Sequence, residues 1–268
     1  MKHSYLIHIP DTSEFMMSFV LITKRNRAVI IDGGRPEDMP SLKKVVGKRE
    51  IAAWILTHPH LDHISGFNEV FASDDPDLRP KEVIYSFPPL SFIEENEPEE
   101  AHTLRDFLAV EDKVRPLAHR PVENEEFSID ELRFKVLHAW DDARPDSPRL
   151  AGNNASLVVR VQGEKKSVMF LGDIGPETGD SMYADHWQEL KSDYVQMAHH
   201  GHSGPGAEIY LAIKPQACFW CCRDWLYDEI PVAWEPRLYG TRMQRFWMER
   251  LGVKKHYVAM DGLHKVEI

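Results

Sequence analysis

The stretch "THPHLDHISG" (Thr57–Gly66) follows directly on an apolar run, "AAWIL" (Ala52–Leu56). It brings His58, His60, Asp62 and His63 together within six residues. Imidazole nitrogen and carboxylate oxygen suit divalent ions such as zinc, iron or manganese. Four such groups are costly to bury together without a partner. The apolar residues upstream, with Pro59 and Leu61 inside the stretch, mark an ordered, partly buried loop and argue against a solvated histidine tract. Loops at strand ends are where α/β proteins commonly place their sites. The spacing H-x-H-x-D-H is therefore read as a metal-binding loop at the end of a buried strand.

Reading outward, "SYLIHI", "MSFVLITK" and "AVII" predict strands, with Asn26 as a hairpin turn residue and Asp32-Gly33-Gly34 at a strand end. "PEDMPSLKKVVGKR" has helical spacing, and "GFNEVFAS" predicts a short helix after the metal loop. Pro88 to about Glu126 differs: five glutamates fall between Glu94 and Glu100, followed by helical spacing. That segment is expected to be an acidic helical insertion, usually a solvated face, with a lid over a site as the sharper alternative. A second β-rich pass follows, including a hairpin turned at Gln162-Gly163-Glu164 and ending at Gly172-Asp173. Strands alternating with helices predict a layered α/β arrangement. No Pro/Gly/Ser-rich linker separates the halves, so residues 1–268 are expected to form one domain.

Composition narrows the function. The chain has 268 residues, 43% of them hydrophobic, and a formal net charge of -11, which suits a folded protein without an extended nucleic-acid-binding face. No apolar run is long enough to cross a membrane, and the start has no secretory pattern. The three cysteines, Cys218, Cys221 and Cys222, are odd in number and clustered on an apolar strand. They read as buried thiols, and a cytoplasmic location is expected. Trp220, Trp225, Trp234 and Trp247 read as core, with a pocket wall as the alternative; Arg237, Arg242 and Arg245 read as a solvated helix face, with an anion contact as the alternative. A phosphate-binding glycine loop and a serine nucleophile elbow are both absent.

With those residues in view, the chain resembles the metallo-β-lactamase superfamily of metal-dependent hydrolases. Asp32 matches the first motif, a carboxylate that organises the metal loop. His58, His60, Asp62 and His63 match the second, Asp173 in "MFLGD" the bridging aspartate, and His199 in "MAHHGHSG" the late histidine, with His200 as the fallback and otherwise a residue behind the ligands. The resemblance implies a four-layer αββα sandwich of two packed β-sheets flanked by helices. It also implies two divalent metal ions, zinc first, with manganese or iron as alternatives. The order "NN…GD…HHG" is similar to the soluble domain of ComEC-type DNA-uptake proteins, although a histidine, His202, stands after Gly201 where those relatives carry serine. The third-motif histidine of most members falls here on Asn154, and no histidine lies between His138 and Asp173. Asn153, Asn154 or His138 would have to complete the first metal position.

A metal lowers the pKa of bound water toward neutrality, so that hydroxide is available at pH 7. Asp62 and Asp173 are expected to orient it, and His202 to contact substrate or donate a proton to the leaving group. The expected activity is hydrolysis of a phosphodiester or related ester in a small-molecule or nucleotide-like substrate. Hydrolysis of a lactone, thioester or β-lactam is the alternative within enzymes, and a non-catalytic metal-binding protein the alternative outside them.

Overall fold

The apolar run before the histidines is a strand buried along its whole length, as suits a parallel strand covered on both faces. The computed structural model describes residues 1–10, 16–230 and 240–268. Trp234 and Arg237 lie outside the described residues.

In chain order the first half comprises β1 (Tyr5–His8), β2 (Ser18–Ile22), β3 (Ala28–Asp32), α1 (Met39–Val46), β4 (Ile51–Leu56), α2 (Leu61–Ala72), β5 (Val83–Tyr85), α3 (Leu90–Asn96), α4 (Ala101–Ala109), α5 (Glu111–Val114) and β6 (Ala118–His119). The second comprises β7 (Glu126–Ile129), β8 (Leu132–His138), α6 (Ala151–Asn154), β9 (Val158–Gln162), β10 (Ser167–Phe170), α7 (Pro176–His186), β11 (Tyr194–Gln196), α8 (Ala207–Ile213), β12 (Ala217–Trp220), α9 (Asp224–Tyr227), α10 (Thr241–Arg250), β13 (Lys255–Val258) and β14 (His264–Glu267).

Among the described residues these strands form two seven-stranded sheets, ordered β14-β1-β2-β3-β4-β5-β6 and β13-β12-β11-β10-β9-β8-β7. Each begins with antiparallel hairpins and continues in parallel through helical crossovers. Asn26 turns the first hairpin at φ 61°, a left-handed conformation that asparagine tolerates. Gly163 closes the second, its N–H donating to Lys166 O at 2.9 Å.

Three apolar clusters account for four layers. The inner faces of the sheets meet through Phe19, Ile31 and Ile55 on one side and Phe134, Val159, Phe170 and Phe219 on the other. Outside the first sheet, α1, α2 and α4 pack through Leu42, Phe67 and Phe107. Outside the second, Met182, Tyr210 and Met248 of α7, α8 and α10 close the fourth layer. This is the αββα sandwich expected. One pairing had no local signal: β14, at the chain end, returns antiparallel to β1 and extends the first sheet. Among the described residues no helix is long and apolar enough to cross a membrane.

His8 tests how tightly the two sheets close. Its ring is fully buried and stacks on Phe19 at 4.6 Å. Burial, with His264 nearby, pushes its pKa down to about 3. The unfolded chain binds this proton near the ordinary value of about 6.5, and the folded chain does not. Stability is therefore intact above about pH 6.5 and is lost as pH falls toward 3, at about 1.4 kcal/mol per pH unit. His8→Phe should flatten that acid limb in urea unfolding measured from neutral to mildly acid pH. Acid release of metal is common to both proteins and cancels in the comparison. Equal slopes would show that His8 is not the group responsible.

Candidate metal centre

The parallel strands carry their sequence-marked residues to one edge of the sandwich. β3 ends on Asp32, β4 runs into Thr57–His60, β10 into Gly172-Asp173, and β11 into the turn Ala198–Gly201. The expected loop at Thr57–Gly66 is shorter than the spacing suggested. Asp62 and His63 already lie in the first turn of α2, for which His60 is the N-cap. His63 N–H donates to His60 O at 3.1 Å. The helix thus fixes Asp62 and His63 relative to His60, and its N-terminal dipole favours the Asp62 carboxylate.

Asp32 braces the floor of the site. It is fully buried at φ 51°. Its Oδ1 accepts from Thr57 N–H at 2.7 Å, and its Oδ2 accepts from the Thr57 hydroxyl at 2.6 Å and from His63 Nδ1 at 2.7 Å. Thr57 Oγ1, having given its proton to Asp32, accepts from His58 Nδ1 at 3.1 Å. Both rings are therefore anchored through Nδ1, which leaves Nε2 as the lone-pair donor.

The donors converge in two groups whose ligand atoms lie within 4.8 Å of one another: His58, His63 and Asp173, and Asp62, His63 and His200. His63 Nε2 is 3.3 Å from Asp173 Oδ2 and 3.4 Å from His200 Nε2. His200 Nε2 is 2.9 Å from Asp62 Oδ2 and 3.2 Å from Asp173 Oδ2. The sequence pattern favoured His199 as the late ligand, with His200 as the fallback; in the structure it is His200 Nε2 that lies against both acids. His200 Nδ1 donates to Cys221 O at 2.8 Å, so Nε2 is turned to the acids. Both residues sit at positive φ, 50° and 57°. Left-handed conformations at two successive non-glycine residues cost of order 1–3 kcal/mol each, a strain of the kind that clusters at functional sites. His199 still lines the same cavity.

The charges fit a cation. Burial alone would lower the pKa of His63, but Asp173, Asp62 and Asp32 outweigh it and hold it well above the ordinary value. Burial likewise opposes protonation of His200, and Asp173 and Asp62 raise it to about 10. Burial would raise the carboxyl of Asp173, yet His63 and His200 hold it well below the usual range. Among the described residues, four buried polar atoms at this place have no hydrogen-bond partner: His58 Nε2, Asp173 Oδ1, His199 Nδ1 and Asn153 Oδ1. Leaving such atoms unpaired costs about 1–3 kcal/mol each. Imidazole nitrogens beside carboxylate and amide oxygens are a donor set that divalent metal ions satisfy.

The replaced third-motif position is resolved in detail. Asn154 turns away from the centre: its Oδ1 accepts from Gly175 N–H at 2.9 Å and its Nδ2 donates to Arg149 O at 2.7 Å. Asn153 instead lines the cavity, alongside His60, Asp62, Asp173 and His202. His138 is no substitute. Its Nδ1 donates to Ser156 O at 2.8 Å and its Nε2 to Asp146 Oδ1 at 3.0 Å, so neither nitrogen keeps a lone pair. His202 is nearly buried, and burial first, then His199 and His200, hold its pKa well below the ordinary value. That direction favours the neutral ring, which can hydrogen-bond at the cavity wall.

Some participants carried no signal in the sequence. Thr57 joins Asp32 to two rings. Gln196 ties the β10 and β11 ends, accepting from Leu171 N–H at 2.8 Å and donating to Gly172 O at 3.0 Å. Gly172 itself stands at φ 55°, where a Cβ would lie 2.7 Å from Ser156 Oγ, and Ser156 Oγ accepts from Asp173 N–H at 3.0 Å. From the acidic insertion, expected to be a solvated face or a lid over a site, Glu97 and Glu100 line the cavity.

The chain and its fold are similar to known proteins. The chain is 27% identical over 176 residues to ComE operon protein 3 of Bacillus subtilis (strain 168), a match covering 63% of this chain and 20% of that protein. It thus spans about a fifth of the length of that relative. The fold is similar to the crystal structure of the metallo-beta-lactamase fold protein YhfI from Bacillus subtilis, with TM-score 0.57 and 10% identity over 98% of this chain and 99% of that one. It is also similar to a diphosphatase from the PhnP family, with TM-score 0.54 and 13% identity over 99% and 98%. The family model of the metallo-beta-lactamase superfamily matches residues 14–198, the stretch that runs from the first hairpin through Asp32, the H-x-H-x-D-H residues and Asp173; the chain belongs to the metallo-beta-lactamase superfamily.

Proposed function

We propose that the protein is a hydrolase with two metal positions, acting on a phosphodiester or a related phosphate ester. The observation that carries this is the pair of donor groups sharing His63, one with Asp173 and one with Asp62, beside buried donor atoms that have no other partner. In this reading His58 and His60 serve the first position, with Asn153 Oδ1 in place of the third-motif histidine. Asp62, His63 and His200 serve the second, and Asp173 lies between. Zinc suits the imidazoles; an amide oxygen in the first set widens the choice to manganese or iron. The match to ComE operon protein 3 supports a ComEC-like subgroup, and the same fold carries phosphate chemistry in the PhnP-family diphosphatase.

When bound, two divalent ions lower the pKa of coordinated water and polarise a phosphoryl oxygen. The chain does the rest. Asp32 and Thr57 lock two imidazoles in one tautomer, so little reorganisation is left for the reaction. His202 can donate a ring N–H to a substrate oxygen. The cavity, about 370 Å³, admits a substrate of small-molecule or nucleotide size. Three buried cysteine thiols suit a reducing compartment such as the cytoplasm.

Elemental analysis of protein purified without added metal, with bis(4-nitrophenyl) phosphate turnover on the same samples, tests this. About two metals per chain and turnover that follows added zinc, manganese or iron is the expected result. One metal or none, without turnover under any ion, would move the assignment to another ester class or to a non-catalytic metal-binding protein.

A further inference from the structure

We propose that Glu97, carried on the acidic insertion, is a positioning residue for His60 and so for the first metal position. The proposal rests on the two-position reading above. Glu97 follows α3 and is largely buried, its side chain 13% exposed. Its Oε2 accepts from Gly152 N–H at 2.7 Å and from His60 Nε2 at 3.2 Å. Three segments remote in sequence therefore meet on one carboxylate oxygen: the insertion, the metal loop, and the short helix α6 that carries Asn153.

A carboxylate oxygen only accepts, so the proton of this contact sits on His60 Nε2. The lone pair of a ring held this way is on Nδ1. His58, anchored through Nδ1, offers Nε2 instead. The two neighbouring histidines thus present opposite nitrogens, each fixed by its own partner behind the ring. Such partners set the orientation of a ligand and raise its basicity, and their loss typically weakens metal binding about 10–100-fold.

Gly152 shows that the contact is built closely. A Cβ at this position would lie 2.3 Å from His60 Nε2 and 3.0 Å from Glu97 Oε2. Any side chain there would drive the two apart. Two neighbouring acids differ: Glu94 pairs with Arg105 at 2.7 Å on the surface, and Glu95 is exposed, while Glu100 lines the cavity. A chain that has lost the third-motif histidine depends more heavily on the two that remain, and Glu97 holds one of them.

The test compares wild type, Glu97→Ala, Glu97→Gln and Glu95→Ala, all as the full chain. Each is loaded with zinc and dialysed against zinc buffers of graded free concentration, and metal per chain is measured. Wild type should retain two metals. Glu97→Ala should need about 10–100-fold more free zinc to hold the first metal and an unchanged amount to hold the second. Glu97→Gln should return most of that affinity, because its amide oxygen still accepts from both N–H groups. Glu95→Ala, which removes the same charge from the exposed face, should match wild type. Two metals held as tightly in Glu97→Ala as in wild type would overturn the proposal. So would Glu97→Gln binding as weakly as Glu97→Ala, since that marks a carboxylate bound to the metal itself. Fewer than two metals in wild type would overturn the two-position reading and this proposal with it, an outcome distinct from the other two.

Discussion

Asp62→Ala is expected to lower metal content from about two per chain to about one and to reduce phosphodiester turnover by about a thousandfold or more, the scale seen when a main electrostatic element of a reaction centre is removed. Asp62 lies at the mouth of α2, and its Oδ2 is 2.9 Å from His200 Nε2. Burial would raise its carboxyl pKa, but His63 and His200 hold it far below the usual range. Asp173 stands farther from His200, at 3.2 Å, and is shared with His63. Removing Asp62 therefore strips the second position of its own anionic ligand. His200→Ala should have an effect of the same order, and His199→Ala a smaller one, because only the His200 ring is turned onto Asp62 and Asp173. Metal content and turnover measured on the three variants check this directly. An Asp62→Ala protein with two metals and full turnover would remove the second position from the mechanism. A His199→Ala protein as impaired as His200→Ala would undo the choice between the two rings.

That choice shows where the sequence was legible and where it was not. H-x-H-x-D-H could be read because a folded chain gathers four ligands in six residues for little besides a metal, and because an apolar run announced the strand before them. Asp173 was readable for the same reason, a Gly-Asp pair at the end of a buried strand. Between His199 and His200 a pattern has nothing to decide with. Both residues stand in left-handed backbone conformations, and the contacts that set His200 Nε2 against Asp62 and Asp173 leave no trace in residue type. Asn153 and Asn154 pose the same problem. They are adjacent on one turn of α6, so they point apart, and only the bonds of Asn154 to Gly175 and Arg149 show which one faces away. Glu97 was the least legible. Five glutamates in seven residues look alike, and what separates one of them is a contact with His60, 37 residues earlier, and with Gly152, 55 residues later. The layers of the sandwich were legible because they follow from periodicity; the return of β14 to β1 was not, because it joins the two ends of the chain.

Asp32→Ala is expected to produce the largest loss of stability of any single change at the site, about 3–5 kcal/mol. For a chain of 268 residues that corresponds to a fall in Tm of roughly 5–9 °C. Three donors lose their acceptor at once: Thr57 N–H, the Thr57 hydroxyl and His63 Nδ1. All lie where water does not reach, since Asp32, Thr57 and His63 are fully buried. Alanine also tolerates the left-handed backbone at φ 51° less well than aspartate does. Asp32→Asn separates the contributions. It keeps the shape and one acceptor oxygen, but its amide group opposes a donor on one side, so at least one of the three bonds is lost. Its cost should fall between wild type and alanine. Asp32→Ala frees the His63 ring of the second position and, by releasing the Thr57 hydroxyl, the His58 ring of the first. Metal affinity should therefore drop about 10–100-fold at both positions together, unlike Asp62→Ala, which empties one. Thermal unfolding in chelator measures the first effect without metal, and titration with zinc measures the second. If Asp32→Ala unfolds at the wild-type temperature and still holds two metals, then Asp32 does not brace the centre and the tautomers of His58 and His63 must be fixed in some other way.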